Sequence, residues 1–295
     1  MGGITNMNEV INIEDNRYPE RLKEIKDPPE KLYFKGEWDE GIFRNCLAVV
    51  GSRRITSYGK IITNSLVTQI ASAGITIISG FMFGVDAHSH RAAVESCKRT
   101  IAVMPCGIDV IHPAYQKDLY DEILENNGLI ISEFEGNHPP AAWTYPKRNR
   151  IVAGLSQATL VIEAAEKSGT LITAKLTNEN NRKLFAVPGP LTSKNSIGTA
   201  KLIKDGAEIV TSANDILKFY NMTKKISNVP DNELNNLEQR IFEQLNHESL
   251  EVDSLARILN ISVSELGKTL SLMEIKGILF KERGKYHVNQ STVSN

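Results

Sequence analysis

An excess charge of one sign, paired cysteines, long apolar runs and the usual nucleotide fingerprints are all missing from this 295-residue sequence. Lysine and arginine total 34 against 35 aspartate and glutamate, a formal net charge of −1. That balance excludes a histone-like polycation and an acidic tail protein. It leaves nucleic acid open, because the placement of charge decides that, and the sum does not. The three cysteines, Cys46, Cys97 and Cys106, include no Cys-x-x-Cys pair. A disulfide framework is thereby excluded and a reducing cytoplasm fits; each cysteine lies in or beside an apolar run and reads as a buried thiol. No stretch approaches the roughly 18 apolar residues of a membrane span. The first ten residues carry Glu9 and no basic-then-apolar start, so no secretory signal is expected. Gly-x-Gly-x-x-Gly is absent, and Gly51 stands too far ahead of Gly59-Lys60 for a P-loop. The commonest dehydrogenase and nucleotide-triphosphate sites go with them.

What is present is order along the chain. At roughly 100–200 residues per domain, the length suits one large domain or two modest ones. Residues 1–43 are mixed and polar, punctuated by Tyr18-Pro19 and Asp27-Pro28-Pro29, with a short strand predicted at Leu32-Tyr33-Phe34 and a turn at Gly36. They are expected to form an N-terminal extension packing on the core. Short apolar runs then recur at 47–50, 75–78, 101–104, 129–131, 159–162 and 184–187. Runs that are apolar almost without interruption belong to strands buried on both faces, hence to a parallel sheet. Between the first two, Ile62, Leu66 and Ile70 mark a helix that Gly74 would stop. This alternation predicts an α/β domain over 44–220, a Rossmann-like, mostly parallel sheet with helices on both faces. Residues 221–233 read as a linker. Three short helical patterns and the hairpin-like 277–288 then predict a small winged-helix domain over 234–290.

Several polar motifs fall at the predicted strand ends, where open α/β sheets collect ligands. Val50-Gly51-Ser52-Arg53-Arg54 offers a backbone without a Cβ, a hydroxyl and a forked cation to an anion. Ser79-Gly80 precedes Gly84-Val85-Asp86, and Asp86 is placed to cap the next helix. His88 and His90 are two apart and do not share a helix face, so no metal pair is expected; no cofactor is expected either. Ser168-Gly169-Thr170 opens a helix and presents amides and hydroxyls suited to phosphate. Trp143-Thr144-Tyr145-Pro146-Lys147-Arg148-Asn149-Arg150 sets aromatics beside cations, a combination suited to stacked bases and tracked phosphates in single-stranded nucleic acid. Packed aromatics beside a solvated basic helix start would read the same way. Acids are absent from 41–85, where about five would be expected at the chain's average, and from 136–162. Part of this deficit belongs to buried strands; the rest predicts a positive mouth. Residues 231–295 lean the other way, with seven basic and ten acidic side chains. The candidate recognition helix offers only Lys268, little for a duplex reader.

The set as a whole has a recognisable order. Tyr18-Pro19 with Pro28-Pro29 and Leu32-Tyr33 leads in, and Val50-Gly51-Ser52-Arg53 with Tyr58-Gly59 is the second block. Next come Ser79-Gly80, Gly84-Val85-Asp86 and His90, then Pro105, Gly107, Asp109 and Pro113. Pro146 with 148–151, Ser168 with 169–174, Pro188-Gly189 and the stretch 202–207 complete it. In this order, over nearly the whole chain, these residues resemble the DNA-processing protein A family (DprA, also called Smf). The resemblance implies a Rossmann-like core that binds single-stranded DNA without catalysis, usually as a homodimer. It also implies help in loading the recombinase RecA during natural transformation. By position it assigns Arg53 to the DNA pocket and Lys147, Arg148 and Arg150 to a basic rim. The residue reading adds Gly51, Ser52, Gly80, Ser168, Gly169 and Thr170 as phosphate contacts. Ser89 stands where the family often has Ala, and Ala200 where it often has Asn. Two alternatives remain. One is a nucleotide phosphoribohydrolase resembling the cytokinin-activating enzymes, whose catalytic Glu is replaced here by Thr173. The other is a winged-helix regulator, which the acidic balance of 231–295 weakens.

Overall fold

The six apolar runs form the middle of one nine-stranded sheet. The computed structural model describes residues 9–222, 235–275, 278–282 and 284–288. The chain divides into two compact units, residues 1–223 and 224–295. The predicted linker at 221–233 lies, from residue 223 on, outside the described residues.

In chain order the first unit comprises β1 (Glu9–Asn12), α1 (Glu20–Lys23), β2 (Lys31–Gly36), β3 (Cys46–Val50), α2 (Ser57–Ser72), β4 (Thr76–Ser79), α3 (Val85–Glu95), β5 (Thr100–Val103), α4 (Lys117–Glu125) and β6 (Leu129–Ser132). It continues with α5 (Thr144–Leu155), β7 (Ala158–Val161), α6 (Thr170–Glu179), β8 (Lys183–Ala186), α7 (Ile197–Lys204), β9 (Glu208–Ile209) and α8 (Ala213–Phe219). The sheet order is β1-β2-β6-β5-β4-β3-β7-β8-β9. From β6 to β9 all neighbours are parallel, whereas β1–β2 and β2–β6 are antiparallel. The sheet is buried on both sides, as the uninterrupted apolar runs require. Cys46, Ala48 and Val50 of β3 enter one core cluster, and Leu47 and Val49 enter the cluster on the opposite face. Residues 9–43 belong to the same body: Tyr18, Leu22, Ile25, Leu32 and Phe34 share the cluster of Cys46 and Val50.

Local rules set the helix limits. Thr56 caps α2 by accepting the Gly59 N–H, and Gly74 comes just after its end at φ +94°. Cys46 and Cys106 are buried thiols as expected, but Cys97 is exposed. It lies two residues past the end of α3 at φ +53°, where the chain turns, so no core forms over it. Asp86 also departs from expectation: Gly84 is the N-cap of α3, and Asp86 lies inside the first turn.

The second unit is a winged helix. Asn235 and Glu238 form a capping box at α9 (Asn236–His247). Then come β10 (Leu250–Glu251), α10 (Val252–Leu259), α11 (Val263–Ile275), and the hairpin β11 (Leu279–Glu282) with β12 (Lys285–Val288). Ile241, Leu255, Leu266, Leu270 and Tyr286 make its core. Among the described residues no helix is long and apolar enough to cross a membrane.

Candidate nucleic-acid interface

Strand order reverses between β3 and β7. From β3 the chain builds outward through β4, β5 and β6; from β7 it builds the other way through β8 and β9. Loops leaving the two strands therefore diverge and open a crevice at their carboxyl ends. A cavity of about 610 Å³ occupies that crevice. Residues 51–54 after β3 and 167–170 after β7 line it, with Gly80, Asp86, Tyr145, Arg148, Lys194 and Asn195.

A buried carboxylate fastens these loops. Glu163 accepts the Thr56 N–H at 3.0 Å and the Thr56 hydroxyl at 2.5 Å. Asn195 Nδ2 reaches Glu163 at 3.4 Å, Ser52 Oγ at 3.2 Å and the Arg54 carbonyl at 2.8 Å. Three loops are thus tied to one side chain. Gly84, at φ +72°, leaves its missing Cβ pressed toward the Ser52 carbonyl, and Val85 N–H donates to that carbonyl at 3.2 Å.

The cations divide into two kinds. Arg53, Arg54, Lys167 and Lys194 are exposed on the cavity. The Arg53 guanidinium lies 4.9 Å from the centroid of the Tyr145 ring, and Tyr145 Oη shares a 2.9 Å hydrogen bond with His112 Nε2. Burial, and then the nearby Arg53 charge, hold His112 below the ordinary histidine range. Arg148 also lines the cavity but is buried. It donates to the carbonyls of Gly80 and Val103 and so holds the ends of β4 and β5. A Cβ on Gly80 would come within 2.5 Å of its guanidinium carbon. Burial lowers Arg148 to about 10 against the pull of Asp86, and burial raises Asp86.

Lys147 and Arg150, grouped with Arg148 by sequence, do not line this cavity. Both pair with Glu133, at 3.3 and 2.5 Å, and Arg150 lies 3.2 Å from Asp27. Arg150 is buried like Arg148, but helix periodicity turns it to another side of α5, toward Glu133 and Asp27. At the β7 end, Gly169 faces open space, but the amides of Thr170, Leu171 and Ile172 are already bonded to Ser168 Oγ, Ser168 O and Gly169 O. Backbone donors expected to meet phosphate there are engaged within the turn. Arg54 belongs to the Gly51–Arg54 motif read in the sequence, whereas sequence reasoning missed Lys167, Lys194, Asn195 and Glu163 as parts of the site. Lys167 does adjoin the flagged Ser168-Gly169-Thr170 loop; nothing local marks Glu163 as a brace.

The family model for DNA recombination-mediator protein A matches residues 9–221, and that for the DprA winged helix domain matches residues 227–285. The chain belongs to the DNA recombination-mediator protein A family. Relatives within it include Protein Smf of Synechocystis, 39% identical over 207 residues, which are 69% of this chain and 52% of that protein. DNA processing protein DprA of Bacillus subtilis is 38% identical over 208 residues, 70% of each chain. The chain therefore spans about half of the first relative's length and more of the second's. Among solved structures, DNA processing protein A from Streptococcus pneumoniae superposes with a TM-score of 0.68 at 35% identity, covering 72% of this chain and 74% of that one. That from Helicobacter pylori, described for its single-stranded DNA binding mode, gives 0.64 at 31%, covering 72% and 98%. In this family member Ser89 is fully buried and donates to the Val85 carbonyl at 2.7 Å, whereas Ala200 is exposed.

Proposed function

We propose that this chain binds single-stranded DNA in the switch-point cavity, without catalysis, and delivers it to RecA recombinase during DNA uptake and recombination. The observation that carries the reading is the charge of the cavity. Among the described residues four exposed cations line it, and its one lining carboxylate, Asp86, is buried beside Arg148. Such a surface attracts phosphate and offers little to a general acid–base mechanism. Thr173, at the position of the phosphoribohydrolase Glu, is buried and has no titratable group. Family membership supports the delivery step, a homodimeric state and a cytoplasmic setting. In the second unit α11 carries a single cation, Lys268, which supports a role other than strong duplex reading.

The test is fluorescence anisotropy with single- and double-stranded oligonucleotides over a salt series, beside a nucleoside-monophosphate hydrolysis assay. Preference for the single strand with a steep salt slope is the expected result; efficient hydrolysis would overturn the reading. Delivery is read separately, as faster RecA filament growth on DNA already coated by a single-strand-binding protein.

A further inference from the structure

We propose that the ring pair Phe83–Tyr115 is a second, base-stacking subsite for single-stranded DNA, adjoining the switch-point cavity; it rests on the proposed DNA binding in that cavity. The two rings stack 5.3 Å apart and 3° from parallel, and both are exposed, Phe83 at 37% and Tyr115 at 69%. Each covers one face of the other. The larger exposure belongs to Tyr115, so a further flat ring can continue the stack on its outer side.

The pair is built into the fold. Phe83 sits in the loop from β4 to α3, just after Gly80 and Met82, which line the cavity. Phe81 in that loop has φ +56°, a conformation that costs a bulky residue energy and that here accompanies Phe81 entering the core while Phe83 faces solvent. Tyr115 lies in a single 3-10 turn, Ala114–Gln116, in the connection from β5 to α4. Its neighbour Gln116 is buried and donates to the Phe81 carbonyl at 3.1 Å, which pins the two loops together. Three residues before Tyr115, His112 bonds the cavity residue Tyr145 at 2.9 Å. One short segment, 112–116, thus joins Arg53 and Tyr145 at the cavity to the exposed stack.

Nucleobases are the occupant that this continuity favours. A strand whose phosphates meet Arg53 can run on past the loops of β4 and β5, which adjoin the cavity through Gly80, Met82 and Tyr145. There it meets parallel, pre-positioned rings, which accept any base because every base has a π-face. The loop bearing Phe83 also belongs to the acid-free stretch 41–85.

The experiment compares the wild-type chain with the double variant Phe83→Ala, Tyr115→Ala, using oligothymidylate and strands carrying 2-aminopurine at successive positions. The double variant should bind about tenfold more weakly. Its salt slope should stay that of the wild type, since no phosphate contact is lost. Quenching of 2-aminopurine should vanish at one position, and Tyr115→Phe should bind like the wild type. Independently of any variant, 5-bromodeoxyuridine in the strand should photocross-link to Tyr115 or Phe83 in the wild-type chain. Wild-type affinity in the double variant, or cross-links confined to other residues, would overturn the platform and leave the pair a protein-facing patch. Failure of the wild-type chain itself to bind single strands would overturn the cavity reading and this proposal together.

Discussion

Arg53 and Arg148 carry the same charge on the same cavity and do opposite work. Arg53 is exposed and its guanidinium rests on the Tyr145 ring, so under the proposed binding its loss removes a phosphate contact without opening the core. Arg53→Ala is expected to weaken single-strand binding and to make the plot of log affinity against log salt shallower by about 1, with unchanged urea stability. Arg148 is buried against two carbonyls and Asp86. Arg148→Met leaves two buried carbonyls without their donor and Asp86 without the neighbouring positive charge, so a loss of about 3 kcal/mol in unfolding free energy is expected. His90 adds a pH dependence. It is fully buried, its Nδ1 meets Thr100 Oγ1 at 2.8 Å, and burial followed by the Arg148 charge lowers it to about 3. The unfolded chain then takes up a proton that the folded chain refuses. His90 therefore costs no stability above pH 6.5 and destabilises progressively as pH falls from about 6.5 toward about 3. Urea midpoints for His90→Gln should fall less steeply than wild type over that window.

Glu163 belongs to the scale of elements, because it acts by joining the N-terminus of α2 to two other loops. Glu163→Ala leaves the Thr56 N–H and hydroxyl without their acceptor and frees Asn195 from one of its three partners. About 2 kcal/mol of stability should be lost, and hydrogen exchange should quicken at residues 51–56 and 193–195. The strands were readable in advance because double burial forces uninterrupted apolar runs, and β3 to β8 all show them. The two-residue β9 is exposed and too short to leave a pattern, and β1 has a single buried position, Ile11. The loop bearing Gly51 and Arg53 was legible too, since it directly follows the apolar run of β3 and so falls at a strand's carboxyl end. The octet 143–150 was not. Its cations read alike in sequence, and what separates them, Glu133 for Lys147 and Arg150 against two strand-end carbonyls for Arg148, lies 14 to 68 residues away in the chain. A helix pattern says that one face is buried; it does not say what waits there.

Across the whole molecule the net charge of −1 is a cancellation between regions. The cavity cations lie within residues 53–194, while residues 231–295 carry more acids than bases. Removing residues 224–295 should therefore leave single-strand affinity within about twofold and keep the salt slope, measured by anisotropy. A larger loss would place DNA contacts in the winged helix. The reversal of strand order between β3 and β7 also has a meaning in time. β3 can pair with β4 soon after both are made, but its other neighbour begins at Ala158 and the far wall of the cavity reaches Asn195. At roughly 5–20 residues per second of synthesis, several seconds separate the two walls. A polypeptide still being translated has Arg53 but no crevice to hold it over. The crevice is thus completed late in the birth of each molecule, after most of the sheet is in place.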